Sequence, residues 1–213
     1  MIPAQEALER LREGNRRFAA NIEGRSTLAD QPQRDTLPKD QAPFAIVLGC
    51  SDARVPAEIV FDQGLGDLFV IRVAGNIVAP SQVGSVEFAA ERFGTRLVVV
   101  LGHSECGAIL ATVEQLQQPA ESQSRNLSSI VDRIRPSVEV LMRTELRNDM
   151  DVLVKHAVRA NVGASVDHLR HGSEVLEQLI LNEGLRIVGA EYSLDTGVVE
   201  FFDYINQPAR KNR

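Results

Sequence analysis

Tryptophan is absent from this chain of 213 residues, aromatic side chains make up only 5% of it, and cysteine occurs just twice. So few aromatics argue against a platform for stacking bases or sugars. Positive charge is also in short supply, with 23 Lys and Arg against 29 Asp and Glu, a formal net charge of −6 and a pI near 5.3. Nucleic acids and anionic membrane surfaces draw basic patches, so neither is expected as a partner. No run approaches the roughly 18 consecutive apolar residues of a membrane span, and the N-terminus lacks the charged-then-apolar pattern of a secretion signal. A soluble, cytoplasmic protein is the expectation. Internal repeats and low-complexity stretches are missing as well.

What is present is enough apolar material, 44% of residues, for one sizeable α/β core and too little length for two average domains. A single domain over residues 1–213 is expected, divided into a helical arm with an extended connection (1–42) and an α/β core (43–213). Ala7, Leu8, Leu11 and Phe18 recur at helical spacing between Pro3 and Ala20. The connection that follows contains Gly24, Pro32 and Pro38 and few large apolar residues, which isolates the helix in sequence. The apolar runs Phe44 to Gly49, Leu68 to Val73 and Leu97 to Leu101 predict buried strands, separated by a helical turn at Pro56 to Phe61 and a helix over Ser81 to Phe93 with Ser81 as its cap. This alternation predicts parallel pairing with right-handed crossovers. A polar loop at Pro119 to Arg125 leads into a long helical stretch, Asn126 to His171, broken near Asn148 and Asp149. A helix over Ser173 to Asn182 stops at Gly184, and strands Leu185 to Glu191 and Val198 to Phe202, joined through Asp195-Thr196-Gly197, form a hairpin with an antiparallel edge.

The chemistry concentrates in two segments, Cys50-Ser51-Asp52-Ala53-Arg54 and His103-Ser104-Glu105-Cys106-Gly107. Each follows a predicted buried strand, and in an open α/β sheet such strand ends are where sites form. Two soft thiolates and an imidazole suit Zn²⁺, and a set of three ligands leaves the fourth tetrahedral position to water, as in catalytic sites. Two other readings remain open on spacing alone: ordinary buried cysteines beside a satisfied histidine, or a Cys50–Cys106 disulfide, which an intracellular setting disfavours. The helix opening near Gly107 points its N–H groups toward Cys106 and favours the thiolate. Gly64-Leu65-Gly66 falls one glycine short of a dinucleotide fingerprint and precedes a strand instead of following one, so nucleotide binding is excluded there. His168 and His171, three apart on one helical face, and His156 lack a carboxylate or thiol in register and are expected to be solvated. The basic run Arg210 to Arg213 reads as a frayed terminus.

Taken together, these two segments resemble the signature of the β-class carbonic anhydrases, zinc enzymes that interconvert carbon dioxide and bicarbonate. Asp67 to Arg72, Ala74-Gly75-Asn76 and Gly84 to Phe88 also resemble that family, and the similarity extends more weakly to Tyr192 and the last strand. The resemblance implies a mostly parallel sheet flanked by helices, Zn²⁺ held by Cys50, His103 and Cys106, and a lyase activity on carbon dioxide. It also implies an Asp52–Arg54 dyad, with Asp52 able to become a fourth zinc ligand in a closed state. Gln41 and the N–H of Gly107 match substrate donors, while Phe69 and Ala74 match the apolar pocket. Phe88 stands where some members carry a pocket tyrosine. A second bicarbonate site seen in some members is matched by Arg72 and Tyr192 but has Val47 in place of a tryptophan. The family's N-terminal arm packs over a partner, which implies a homodimer or homotetramer here; packing on its own subunit is the alternative. Carbonyl sulfide or carbon disulfide hydrolysis on the same fold, and a non-catalytic zinc or redox-sensing role, are the competing functions.

Overall fold

Two strands carry the architecture. β1, Ala45–Gly49, and β3, Leu97–His103, are buried along their whole length. Continuous apolar strands of this kind need cover on both faces, and they occupy the middle of a sheet. In the computed structural model, which describes residues 2–20, 40–117 and 124–202, they are neighbours in a five-stranded sheet. Its order is β2-β1-β3-β4-β5, with β2 at Leu68–Arg72, β4 at Arg186–Tyr192 and β5 at Val199–Phe202. The first four strands run parallel and β5 is antiparallel to β4, as the hairpin reading required.

Alternation along the strands sorts the core into two layers. Ala45, Val47, Val99 and Leu101 face one layer, covered by α1 (Ala4–Ala20) and α2 (Ala57–Val60). Ile46, Leu48, Val98 and Val100 face the other, covered by α3 (Pro80–Arg92), α6 (Met150–His171) and α7 (Glu174–Glu183). A third cluster gathers α4 (Gly107–Gln117), α5 (Arg125–Met142) and α6 around Cys50 and Cys106, at the carboxyl end of the sheet. Gly102 lets α6 come close there, because a Cβ at that position would stand 2.6 Å from Val162.

Local signals explain most boundaries. Ser173 caps α7 by accepting from the Leu176 N–H at 3.1 Å, and Gly184 ends the helix with φ 72°. The expected break near Asn148 is a short 3₁₀ segment, Glu145–Asn148, with Asp149 capping α6. Ser81 does not cap α3: Pro80 takes the first helical position and Ala79 precedes it, while the Ser81 hydroxyl turns to Gln82.

The N-terminal arm packs against the core of its own chain. Ala7, Leu8 and Leu11 are buried in the chain's own core. Asn15, buried as well, donates to the carbonyls of Val60 at 3.1 Å and Gly197 at 2.9 Å and accepts from the Val199 N–H at 2.7 Å. Gly14 sits against the Phe61 carbonyl, where a Cβ would be 1.8 Å from the oxygen. The helix is docked by shape and by three backbone partners, so it is an integral layer of the fold. Residues 21–39 of the extended connection, most of the Pro119 to Arg125 loop and the basic tail lie outside the described residues.

Candidate metal centre

The register of the sheet brings the two motif segments together. Gly49 pairs with Leu101 and with Arg72, so Cys50 leaves β1 beside the end of β3, where His103 is the last strand residue. Glu105 takes a positive φ of 56°, which turns the chain from β3 into α4 and leaves Cys106 just before the first residue of that helix. One donor atom each from Cys50, His103 and Cys106 then lie within 4.8 Å of one another, and all three residues are buried. Both cysteines are free thiols, so the disulfide reading is overturned.

Hydrogen bonding fixes what these atoms can do. The Nδ1 of His103 lies 2.8 Å from the Ser104 carbonyl, which only accepts, so the ring proton sits on Nδ1. Its Nε2 is thereby left with a lone pair, buried and without a hydrogen-bond partner. A buried ring nitrogen facing two thiols is a poor arrangement for folding alone. It suits a metal ion, because tetrahedral zinc with bonds of about 2.0–2.3 Å sets its ligands roughly 3.5–3.8 Å apart, a small contraction from what is seen. The donor set therefore fits zinc.

Backbone N–H groups converge on both sulfurs. Gly75 donates to Cys50 Sγ at 3.3 Å, and the Ala108 and Ile109 amides in the first turn of α4 favour the Cys106 thiolate. The two thiols are shifted in opposite directions. Cys50 ionises first, because the Cys106 thiol donates to it and His103 and the Gly75 N–H support the anion against burial. Cys106 is pushed up by that same contact and by burial. Burial pushes His103 down, and the Cys50 thiolate, the Ser104 carbonyl and the Asp52 charge together outweigh it, a net upward shift.

Asp52 lies at the rim. Arg54 grips its carboxylate through Nε at 3.0 Å and Nη2 at 2.9 Å, and the Arg54 backbone N–H adds a third bond at 2.9 Å. These bonds hold the carboxyl well below the usual carboxylate range. Its Oδ2 lies 3.9 Å from His103 Nε2, so it borders the position a fourth ligand would take while remaining with Arg54. Glu105 adds a looser contact to Arg54 at 3.5 Å.

The pocket residues converge only in part. Gly107 opens α4 directly after Cys106, and Ala74 starts the 3₁₀ turn Ala74–Asn76 that contains the Gly75 donor. Phe69, by contrast, is level with Ile46, four residues before Cys50 and so roughly 13 Å along the strands. It packs with Phe88 and Phe93 beside the open edge of β2, and Phe88 is 52% exposed. Phe69 and Phe88 therefore do not line the Cys50 cluster within one chain, because the strand register carries them away from it. Gln41 is exposed in the segment entering β1. Arg72 serves the loop itself, donating to the carbonyls of Cys50 (2.9 Å) and Asp52, and two strands separate it from Tyr192. His156, His168 and His171 are exposed, as expected.

Sequence reasoning missed Asn161 and Ser165. These buried polar residues of α6 donate to the carbonyls of Gly75 at 2.8 Å and Asn76 at 3.0 Å. Polar residues inside a helical pattern read as solvated positions, so only their placement between Val158, Val162 and Val166 on the apolar face gave a signal.

A mostly parallel sheet with a Cys-His-Cys group at its carboxyl end defines an α/β protein equipped to hold a metal where its strands stop. Residues 45–199 match the family model described as carbonic anhydrase. The chain is 36% identical over 201 residues to carbonic anhydrase 2 of Mycobacterium tuberculosis, covering 93% of each, and equally so to the carbonic anhydrase of Mycolicibacterium smegmatis. The crystal structure of a β-carbonic anhydrase of Aspergillus fumigatus aligns with a TM-score of 0.72 at 23% identity, over 95% of this chain and 91% of that one. One of two tetrameric β-carbonic anhydrases from Sordaria macrospora aligns at 0.68 with 24% identity, over 76% and 82%. The chain belongs to the carbonic anhydrase family, in its β class, and is an enzyme.

Proposed function

We propose that the protein binds one zinc ion per chain through Cys50, His103 and Cys106 and hydrates carbon dioxide reversibly to bicarbonate and a proton. The observation that carries this reading is the unpartnered, buried Nε2 of His103 beside two buried thiols. Zinc, when bound, supplies the Lewis acidity that makes water a nucleophile near neutral pH. Two thiolates offset the charge of the ion, and the Gly75, Ala108 and Ile109 amides relieve that effect by drawing density from the sulfurs.

Asp52 is the orienting group. Ionised and fixed by Arg54, it accepts a hydrogen bond from the attacking water and directs an oxygen lone pair toward the substrate carbon. Its grip on Arg54 is what keeps the carboxylate from taking the fourth zinc position itself. Ala74 and the Gly107 N–H supply an apolar wall and a donor beside the metal group, while Gln41, which enters the opposite end of β1, would supply a second donor only from a partner copy. Carbon dioxide, small and uncharged, requires little more.

The same reading includes assembly and location. The outer edges of β2 and β5 have no strand partner among the described residues, and Phe88 stands exposed beside β2. Open edges and aromatic patches of this kind are covered in stable proteins, here by further copies in a homodimer or homotetramer. Reduced thiols as ligands fit a cytoplasmic setting.

The test is metal analysis and a carbon dioxide hydration assay on one preparation, with carbonyl sulfide and carbon disulfide assayed alongside. Near-stoichiometric zinc with hydration activity supports the reading. A metal-free protein with full activity, or a zinc protein that acts only on the sulfur compounds, overturns it.

A further inference from the structure

The buried face of α6 is apolar at Leu153, Val154, Ala157, Val158, Val162, Val166 and Leu169, and polar at Asn161 and Ser165 alone. These two are 2% and 5% exposed and four residues apart, so they lie one turn above the other on the same face. Both reach the same object. Asn161 Nδ2 donates to the Gly75 carbonyl and Ser165 Oγ to the Asn76 carbonyl, the two successive carbonyls of the 3₁₀ turn.

That turn has an unusual backbone. Gly75 and Asn76 both take left-handed conformations, with φ of 71° and 42°, and only the first is a glycine. Consecutive left-handed residues persist where the surroundings over-determine them. The surroundings here do so from three helices. A Cβ on Gly75 would stand 2.7 Å from Ile134 of α5 and 3.1 Å from Ala108 of α4, while α6 supplies the two hydrogen bonds. The result of holding the turn this way is that the Gly75 N–H points at Cys50 Sγ.

The geometry points to Asn161 and Ser165 as positioning residues for Cys50, acting through the Gly75–Asn76 turn to keep one N–H aimed at the sulfur. This rests on Cys50 being a metal ligand, as proposed above. An N–H donated to a ligand thiolate lowers the energy of the sulfur lone pair and weakens its donation to the ion. The chain thereby keeps an ion held by two thiolates electrophilic without changing a ligand.

Cobalt substitution gives a direct readout, because thiolate ligands add charge-transfer bands in the near ultraviolet whose energy follows the sulfur lone pair. Spectra would be recorded for cobalt-loaded wild type, Asn161→Ala, Ser165→Ala and Ser165→Thr, with hydrogen exchange at the Gly75 amide measured on the same samples. The expected result is retained folding, a charge-transfer band moved to lower energy and faster Gly75 exchange in the two alanine variants. Ser165→Thr keeps the hydroxyl and should restore the wild-type spectrum. Should Asn161→Ala fail to fold, Ser165→Ala alone decides, since it removes one oxygen atom.

An unmoved band and unchanged Gly75 exchange in Ser165→Ala and in any folded Asn161→Ala overturn the positioning role while leaving the ligand reading intact. Absence of any thiolate charge-transfer band in cobalt-loaded wild type overturns the ligand reading, and this inference falls with it. A band moved equally in Ser165→Ala and Ser165→Thr would trace to altered packing and also counts against the proposal.

Discussion

The two sides of the candidate metal centre are held by opposite means. On the inner side, Cys50, His103 and Cys106 are buried, and their partners are backbone groups fixed by β3, α4 and the turn under α6. On the outer side, Asp52 and Arg54 hold each other at the rim, with side chains 18% and 52% exposed, and Glu105 is more exposed still. Backbone donors in a packed interior cannot rotate away, whereas an ion pair near water exchanges its bonds readily. The inner side is thus built to keep ligands in place. The outer side is built to present a carboxylate that stays charged.

Removing one of the proposed inner ligands should have the largest effect. Cys50→Ser, His103→Ala and Cys106→Ser are each expected to lose bound zinc and activity together, and a variant with full activity would break the comparison at once. Next comes the turn behind Cys50. Gly75→Ala places a Cβ against Ile134 at a left-handed position and should cost about 2–4 kcal/mol of stability, measured by urea unfolding.

Asp52→Asn should differ in kind, keeping one zinc per chain while hydration falls roughly 10- to 100-fold, the usual range for a group that orients a reacting centre from outside the ligand set. Loss of zinc in that variant would show that the rim helps to hold the metal. Glu105→Gln should change little, because both partners of its 3.5 Å contact with Arg54 are largely exposed and water screens such a pair.

The effect of pH sharpens the contrast. Arg54 holds the Asp52 carboxyl below its unfolded value of about 3.9, so its contribution to stability is present above roughly pH 4 and is lost as pH falls through the depressed folded value. Between pH 5 and 9 Asp52 keeps its charge. A rise of activity from about pH 7 to 9 therefore has to come from the metal-held water or from release of the carboxylate by Arg54. If the former, Asp52→Asn lowers the whole profile without moving its midpoint.

How far the sequence foretold this depends on which physical property each feature rests on. β1 and β3 announced themselves as continuous apolar runs, and the metal group did so because cysteine and histidine are scarce and both cysteines follow those runs. α1 was legible as a helix, but periodicity identifies an apolar face without saying whose core receives it. Asn15, Gly14 and the Phe61 carbonyl decide that, and they meet across 45 or more residues of chain. Asn161 and Ser165 were hidden because a polar residue on a helix reads as solvated until its three-dimensional neighbours are known. Phe69 and Phe88 show the converse, where motif similarity assigned them to a pocket and strand register sets them away from Cys50 within one chain.

The central claim is that Cys50, Cys106 and His103 hold a zinc ion while Asp52 remains with Arg54. X-ray absorption at the zinc edge of the purified holoprotein near neutral pH tests it most directly. Two sulfurs at about 2.3 Å with two lighter ligands at about 2.0–2.1 Å is the predicted shell, with one sulfur fewer in any metal retained by Cys50→Ser. An unchanged shell in Asp52→Asn would place the fourth ligand outside that carboxylate. A wild-type shell with no sulfur, with one, or with four would contradict the assignment.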